Sequence, residues 1–309
     1  MRILLAGASG FIGQIIDAYL QSMKPQIEIT RLGRNNRTGE SGQWLEVDYR
    51  SPDAVTNAIE NAAPDVIINS AGLINGDATT LFAANAVLPF TLADVISRAS
   101  RPMRLIHVGS AAEYGLPPAG NKLEETDCCN PVSLYGITKL AGTQSLLSKL
   151  GTSGSAITIL RLFNIVADEN SHNQVLGAFS DRVRAFGGVF NGQTVDMGNL
   201  NAVRDFVTAS DLCEAIARLA VNPSSHAIIN VASGTGRGVR SVLQRVNNGF
   251  SKPYLIAEGD FRSAANSSNT AILGNPARLE MLLGRPVAPI EPVLDEIART
   301  ILRQVGHAK

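Results

Sequence analysis

The sequence predicts a doubly wound parallel α/β sheet joined to a smaller mixed α/β domain. Three observations carry that expectation. The chain opens on a short apolar run, a glycine turn and an amphipathic run, the order strand, turn, helix. Further strand-like runs then alternate with helical patterns, as βαβ units require. Charged residues are only 17% of the 309, against about a quarter in an average soluble chain. A low charged fraction suits a sheet covered on both faces.

The first strand is Ile3-Leu4-Leu5-Ala6, and the first helix runs from Phe11 to Leu20. Between and within them stand Gly7, Gly10 and Gly13. Gly7 permits a tight turn, Gly10 lets backbone approach a pyrophosphate, and Gly13 lets helix press on strand. Ser9, Gly10, Phe11 and Ile12 then bring backbone N–H groups to the phosphates at the helix start. An ordinary glycine turn is the plainer alternative; its place at the head of a βαβ pattern favours a dinucleotide site.

The second strand, Ile27 to Leu32, ends at Gly33, with Arg34 and Arg37 just beyond. A carboxylate here would hold the ribose 2′-OH of NAD, and an arginine suits the 2′-phosphate of NADP. The residues therefore favour NADP(H) over NAD(H), with the two arginines otherwise solvated loop charges. Trp44 to Asp48 reads as the third strand and Pro52 to Ala63 as a helix, which Asp48 could cap. Pro64 to Asn69 is the fourth strand; Ala71 and Gly72 follow its carboxyl end and should border the cofactor. Asn85 to Ser100 reads as a helix, with Asn85 structural. The fifth strand, Arg104 to Gly109, contains His107, a packed core residue, and delivers Ser110. The stretch Pro131 to Lys139 begins a helix that continues to about Leu150.

On that helix Tyr135 and Lys139 lie four apart, one turn on the same face. An ammonium near a phenol lowers the phenol's pKa and makes it a usable proton donor or acceptor. Ser110 would supply a second hydrogen bond to a substrate oxygen. The plainer reading is a surface Tyr and Lys with a capping serine.

Later elements are a strand from Ile157 to Asn164, an irregular region from Val166, and a telling segment from Met197 to Phe206. A helix follows from Leu212 to Ala220, then a strand and turn over Ile228 to Gly234, a helix carrying Val239, Val242, Leu243 and Val246, and a closing helix near Pro292 to Val305. Asp205 and Asp211 read as structural, the latter preceding a helix start.

The motifs GASGFIG, SAAEYG, YGITK, RLFN and RDF together resemble the extended branch of the short-chain dehydrogenase/reductase superfamily, the NAD-dependent epimerase/dehydratase family. The segment 197–206 looks most like that of GDP-4-keto-6-deoxy-mannose reductases. The resemblance implies a Rossmann domain over 1–165 and a substrate domain over 166–309, with parts of 204–235 returning to the first. It implies Ser110, Tyr135 and Lys139 as the triad, with Lys139 also on the nicotinamide ribose. It places Asp48 on the adenine, and Asn164, Arg204 and Arg262 on the substrate diphosphate. It further implies a homodimer formed through the helices 85–100 and 135–150.

Within that family the position two before Tyr114, here Ala112, separates reactions. Dehydratases carry a carboxylate there, preceded by a polar group, and 3,5-epimerases a cysteine. Here stand Ala111 and Ala112, which move no proton; Glu113 is one residue off and should point elsewhere. The expectation is hydride transfer alone: reduction of a nucleotide-diphosphate 4-keto-6-deoxyhexose by NADPH, a GDP-sugar favoured. The alternatives are an NAD-retaining 4-epimerase, or a dinucleotide-sensing binding protein without catalysis.

Composition adds bounds. There are 27 basic and 27 acidic residues, a net charge of zero, so neither nucleic acid nor a membrane surface is an expected partner. Three cysteines, two of them adjacent, fit a reducing compartment, the cytoplasm. No leader, bilayer-spanning run or metal site is expected.

Overall fold

The structure is a computed structural model that describes residues 1–23, 27–33, 43–117, 121–149, 154–168, 171–172, 174–187, 192–259 and 271–306. The first half runs β1 (Arg2–Ala6), α1 (Phe11–Ser22), β2 (Glu28–Gly33), β3 (Gln43–Glu46), α2 (Pro52–Ala62), β4 (Val66–Asn69), α3 (Ala78–Phe82), α4 (Leu88–Arg98), β5 (Arg104–Ser110), α5 (Leu134–Leu147) and β6 (Ala156–Leu162). Then come β7 (Asn164–Val166), α6 (Val175–Ala185), β8 (Thr194–Met197), β9 (Val203–Thr208), α7 (Ala209–Val221), β10 (Ile228–Val231), β11 (Gly236–Gly238), α8 (Val239–Asn247), β12 (Leu255–Glu258), α9 (Ala277–Leu283) and α10 (Glu291–Gly306).

Seven strands form one sheet in the order β10-β6-β5-β4-β1-β2-β3, every neighbouring pair parallel. The order reverses between β1 and β4, the switch point outside which ligands bind in such sheets. Alternation along β1 splits the core in two. Ile3 and Leu5 pack with Ile16 and Leu20 of α1 and Leu212 and Ile216 of α7, while Leu4 and Ala6 pack with Val55 of α2, Leu88 of α4 and Leu146 of α5. A separate apolar cluster joins Phe179 of α6, Val195 of β8, Leu243 of α8 and Ile297 of α10. Two small sheets, β11-β9-β7 and β12-β8, complete this second body.

Gly7 and Gly13 are required by close approach. Gly7 has φ +82°, and a Cβ on it would stand 2.5 Å from the Ala71 nitrogen. A Cβ on Gly13 would stand 2.0 Å from the Gly7 carbonyl oxygen, so α1 can reach β1 only with no side chain there.

Several boundaries differ from expectation. The predicted single strand 157–164 divides at Phe163: β6 stays in the large sheet, and β7 crosses to pair with β9. The Phe163 N–H donates to the Val231 carbonyl at 3.1 Å, closing the large sheet there. α7 begins at Ala209 rather than Leu212, because Thr208 caps it by accepting from the Asp211 N–H at 3.1 Å. Asp211 therefore lies in the first turn, buried and paired with Arg285 at 2.8 Å. Ser51, not Asp48, caps α2. The helix expected from Asn85 begins at Ala78 and passes through a π-helical turn, Ala83–Val87, into α4. Joined in this way, Ala78–Arg98 is 21 residues long and apolar enough by length and composition to cross a membrane, contrary to expectation, with 44% of its most apolar window buried.

Candidate active site

Three elements converge at the carboxyl ends of β1, β4 and β5. Ser110 ends β5 and caps a single 3-10 turn, Ala111–Glu113: its Oγ accepts from the Ala112 N–H at 3.2 Å. Tyr135 and Lys139 share one face of α5, whose start Ser133 caps by accepting from the Gly136 N–H at 3.1 Å. The third element is the turn after β4. There the Ala71 N–H donates to Asn69 Oδ1 at 3.1 Å. Asn85 Oδ1 accepts from the Leu73 N–H at 2.9 Å, and its Nδ2 donates to the Leu73 carbonyl at 2.8 Å and to Thr138 Oγ1 at 3.0 Å. Asn85 thus ties this turn to α5, as its expected structural role requires.

Ser110, Tyr135 and Lys139 face one cleft of about 700 Å³, with Gly10, Phe11, Ile12, Ala71 and Gly72 on the same wall. The Ser110 side chain, on the same cleft wall as Tyr135, favours the phenolate. Burial, with the charge of Glu113 adding to it, outweighs that pull and raises the Tyr135 pKa above its ordinary value. The expected lowering by Lys139 is not met, because its Nζ donates to the Val108 carbonyl at 2.7 Å. Burial also brings Lys139 down to about 8. A phenol held protonated beside a hydroxyl is a proton donor in waiting.

His107 is fully buried, and its Nδ1 lies 3.0 Å from Asn69 Nδ2. The Asn69 oxygen is taken by the Ala71 N–H, so the amide donates and the ring accepts. Burial and the Lys139 charge hold His107 well below its ordinary pKa, in the neutral form. It is a core residue, as expected, and does not face the cleft.

The glycine turn fits a dinucleotide. Gly10 caps α1 with extended backbone, and no side chain bonds to the helix start. The first N–H groups of α1 are left to an anion. The Ser9 carbonyl is already used by Gln14 Nε2 at 2.8 Å, which leaves Ser9 only its N–H and hydroxyl for a ligand. Tyr49 lies beneath: its hydroxyl donates to the Leu32 carbonyl at 2.7 Å and accepts from the Gly7 N–H at 3.0 Å.

Not every expected residue comes together here. Arg34 and Arg37, on which the NADP(H) reading rests, and Arg262 lie outside the described residues. Asp48 is exposed beyond β3 and bonded to Arg50 two residues on, with Nη2 to Oδ2 at 2.7 Å. It does not line the cleft. Asn164 and Arg204 do line it, from β7 and β9. Asn164 Nδ2 donates to the Asp205 carbonyl at 2.9 Å, and Arg204 Nη1 to the Val203 carbonyl at 2.8 Å. Asp205 is buried and accepts from the Ser233 N–H and hydroxyl and the Gly234 and Gly274 N–H groups, which anchors β9 beneath the cleft.

The cleft also holds Arg182 and Gln174 near α6 and Asn199 after β8, none singled out from the sequence. Arg182 and Gln174 belong to no motif, and Asn199 lies in the segment 197–206 without a role assigned to it. The one available sign was that Arg182 falls off the apolar face of α6, which is built from Leu176, Phe179 and Val183. Among the described residues lining the cleft there is no Asp, Glu, His or Cys. Glu113 points away from it, toward Arg161, as expected from its offset.

The chain and its fold are similar to known proteins. The chain is 27% identical over 261 residues to dTDP-6-deoxy-L-talose 4-dehydrogenase (NAD(P)(+)) of Kitasatospora kifunensis, covering 83% of this chain and 81% of that protein. It is 24% identical over 314 residues to GDP-6-deoxy-D-talose 4-dehydrogenase of Aggregatibacter actinomycetemcomitans, covering 99% and 100%. The fold matches the structure of RMD from Pseudomonas aeruginosa complexed with NADPH at a TM-score of 0.78 and 19% identity, covering 97% and 98%. The model of the NAD dependent epimerase/dehydratase family matches residues 3–232, from β1 to the turn after β10. The chain belongs to that family and is one of its NAD(P)-dependent enzymes.

Proposed function

We propose that the chain reduces the carbon-4 ketone of a nucleotide-diphosphate 4-keto-6-deoxyhexose, with NADPH as the favoured donor and a GDP-sugar as the favoured substrate. The observation that carries this is a cleft whose titratable groups, among the described residues, are Tyr135, Lys139, Arg182 and Arg204. Dehydration or epimerisation beside the ketone needs a further proton-transfer group, and a simple reduction does not. Relatives named as 4-dehydrogenases of 6-deoxytalose sugars support the same carbon and the same class of sugar.

The bound nicotinamide supplies hydride. Residues 1–165 hold the dinucleotide and 166–309 the sugar nucleotide. Gly7, Ser9, Gly10, Phe11, Ile12 and Gly13 seat the pyrophosphate on backbone N–H groups. Ala71 and Gly72 border the cofactor, and Lys139 holds the nicotinamide ribose. Arg34 and Arg37 select the 2′-phosphate, and Arg262 joins the substrate's diphosphate. Ser110 polarises the carbonyl and Tyr135 gives its phenolic proton to the developing alkoxide. Arg204, with Arg182 across the cleft, matches the diphosphate charge, which a guanidinium fork binds well. Asp48, fastened to Arg50, would have to release it to meet an adenine.

The enzyme works in the cytoplasm as a homodimer. The exposed side chains of Phe82, Phe90, Leu134 and Ile137 on α3, α4 and α5 supply an apolar face for a second copy.

The test is spectrophotometric. NADPH absorbance is followed with GDP-, dTDP- and UDP-linked 4-keto-6-deoxy sugars. Stoichiometric oxidation by one of them is expected, and Tyr135→Phe should lower kcat about 100-fold or more. Inversion at carbon 4 with no net NADPH loss would establish the epimerase instead. Binding without turnover of any of these sugars would leave a dinucleotide-sensing protein.

A further inference from the structure

Glu113 is fully buried and takes no part in the cleft. Its Oε1 accepts from the Ser110 N–H at 2.8 Å, and its Oε2 accepts from Arg161 Nε at 3.1 Å. Arg161 is also buried, and its guanidinium carbon lies 4.4 Å from the centre of the Tyr114 ring. The Tyr114 hydroxyl in turn donates to Asn230 Oδ1 of β10 at 2.7 Å. Gly109, opposite Arg161 in the β5–β6 register, makes room: a Cβ there would stand 2.7 Å from Glu113 Oε1. A buried ion pair is costly to assemble and contributes little to stability compared with apolar packing, so stability alone is a poor reason for one behind Ser110.

We propose that Glu113 is a positioning residue: held by Arg161, its carboxylate fixes the Ser110 backbone, and so the hydroxyl that faces the cleft with Tyr135, while its charge supports the Lys139 ammonium. The groups around that ammonium are few. β5 offers the Val108 carbonyl and the neutral His107, the turn after β4 brings Gly72 and the uncharged Asn85 amide close by, and the turn after β5 offers Glu113. Glu113 is the anion among them, and it raises Lys139 against the lowering by burial. Carbonyl polarisation thus depends on a side chain that never touches substrate.

The kinetic arm of the test rests on the reduction proposed above. Two double variants remove both buried charges, so that neither is left unpaired: Glu113→Gln with Arg161→Met, and Glu113→Leu with Arg161→Met. Glutamine keeps an acceptor for the Ser110 N–H, and leucine does not. Measured on the plateau below each protein's alkaline limb, the leucine pair should lose about 100-fold in kcat, with KM and NADPH affinity held, and the glutamine pair should keep most of its kcat. Melting curves establish that each variant is folded. The second arm needs no substrate. Competitive acetylation of Lys139, read by mass spectrometry across pH, should give a midpoint near 8 in the parent chain and a lower one in both variants. A folded leucine pair with parental kcat would overturn the proposal. So would equal losses in both pairs, or an unmoved acetylation midpoint. If the leucine pair does not fold, the glutamine pair decides through its midpoint. If the parent chain reduces no keto-sugar, the reduction fails, while the acetylation arm still judges Glu113.

Discussion

Tyr135 and Lys139 divide the work differently from what their spacing alone implies. Burial keeps the phenol protonated, ready to donate, and brings the lysine down to about 8. Lys139 is depressed, so its charged form is lost as pH rises through that value, and the ammonium is present below it. The rate should therefore fall on an alkaline limb centred near pH 8. Lys139→Arg keeps the charge at every accessible pH and should remove the limb, even if it slows the reaction. A pH profile of kcat/KM for both proteins checks this. The four-residue spacing of the pair was legible in the sequence because one helical turn sets it. The direction of the tyrosine shift was not, because it depends on burial, which the closed fold sets against the pull of Ser110 at the end of β5.

At the scale of elements, the glycine turn carries the dinucleotide site, and its tolerance is set by contact with backbone. Gly13→Ala would place a methyl 2.0 Å from the Gly7 oxygen and 2.7 Å from its carbon, atoms that cannot rotate away. The expected result is a loss of about 1–3 kcal/mol in stability and loss of NADPH binding. Chemical denaturation and fluorescence titration would measure them separately. The turn and its helix were legible locally, since glycine spacing and helical periodicity act within a dozen residues. The break between β6 and β7 was not. Ile157 to Asn164 is one apolar run, and only the competing partners, Val231 on one side and β9 on the other, divide it at Phe163.

For the whole molecule, the second apolar cluster holds α6 and β8 together, bringing Arg182 and Asn199 into the cleft that Gly10, Phe11 and Ile12 also line. Phe90 is 58% exposed and Phe82 40%, on the rod that runs from Ala78 to Arg98. If that rod pairs with a second copy, Phe90→Glu should convert a dimer to a monomer while leaving the fold intact, since the side chain is already in water. Sedimentation velocity together with a melting curve checks both halves of the statement. A parent chain that sediments as a monomer would refute the pairing.

What the sequence determined by itself is what neighbours along the chain can enforce: the strand–glycine–helix opening, the alternation that makes a parallel sheet, Tyr135 and Lys139 on one face, and the alanines that remove a second acid. Steric limits, the two periodicities and side-chain type all act within a turn or a strand, so no distant partner is needed to read them. Tertiary structure decided the rest. It paired Glu113 with Arg161, 48 residues on, and gathered four donors from two later segments around Asp205. It brought Arg182 to the cleft and kept Asp48 on Arg50. These outcomes depend on which strand lies beside which and on how much water each group loses, and both are settled only when the sheet and its cap close together.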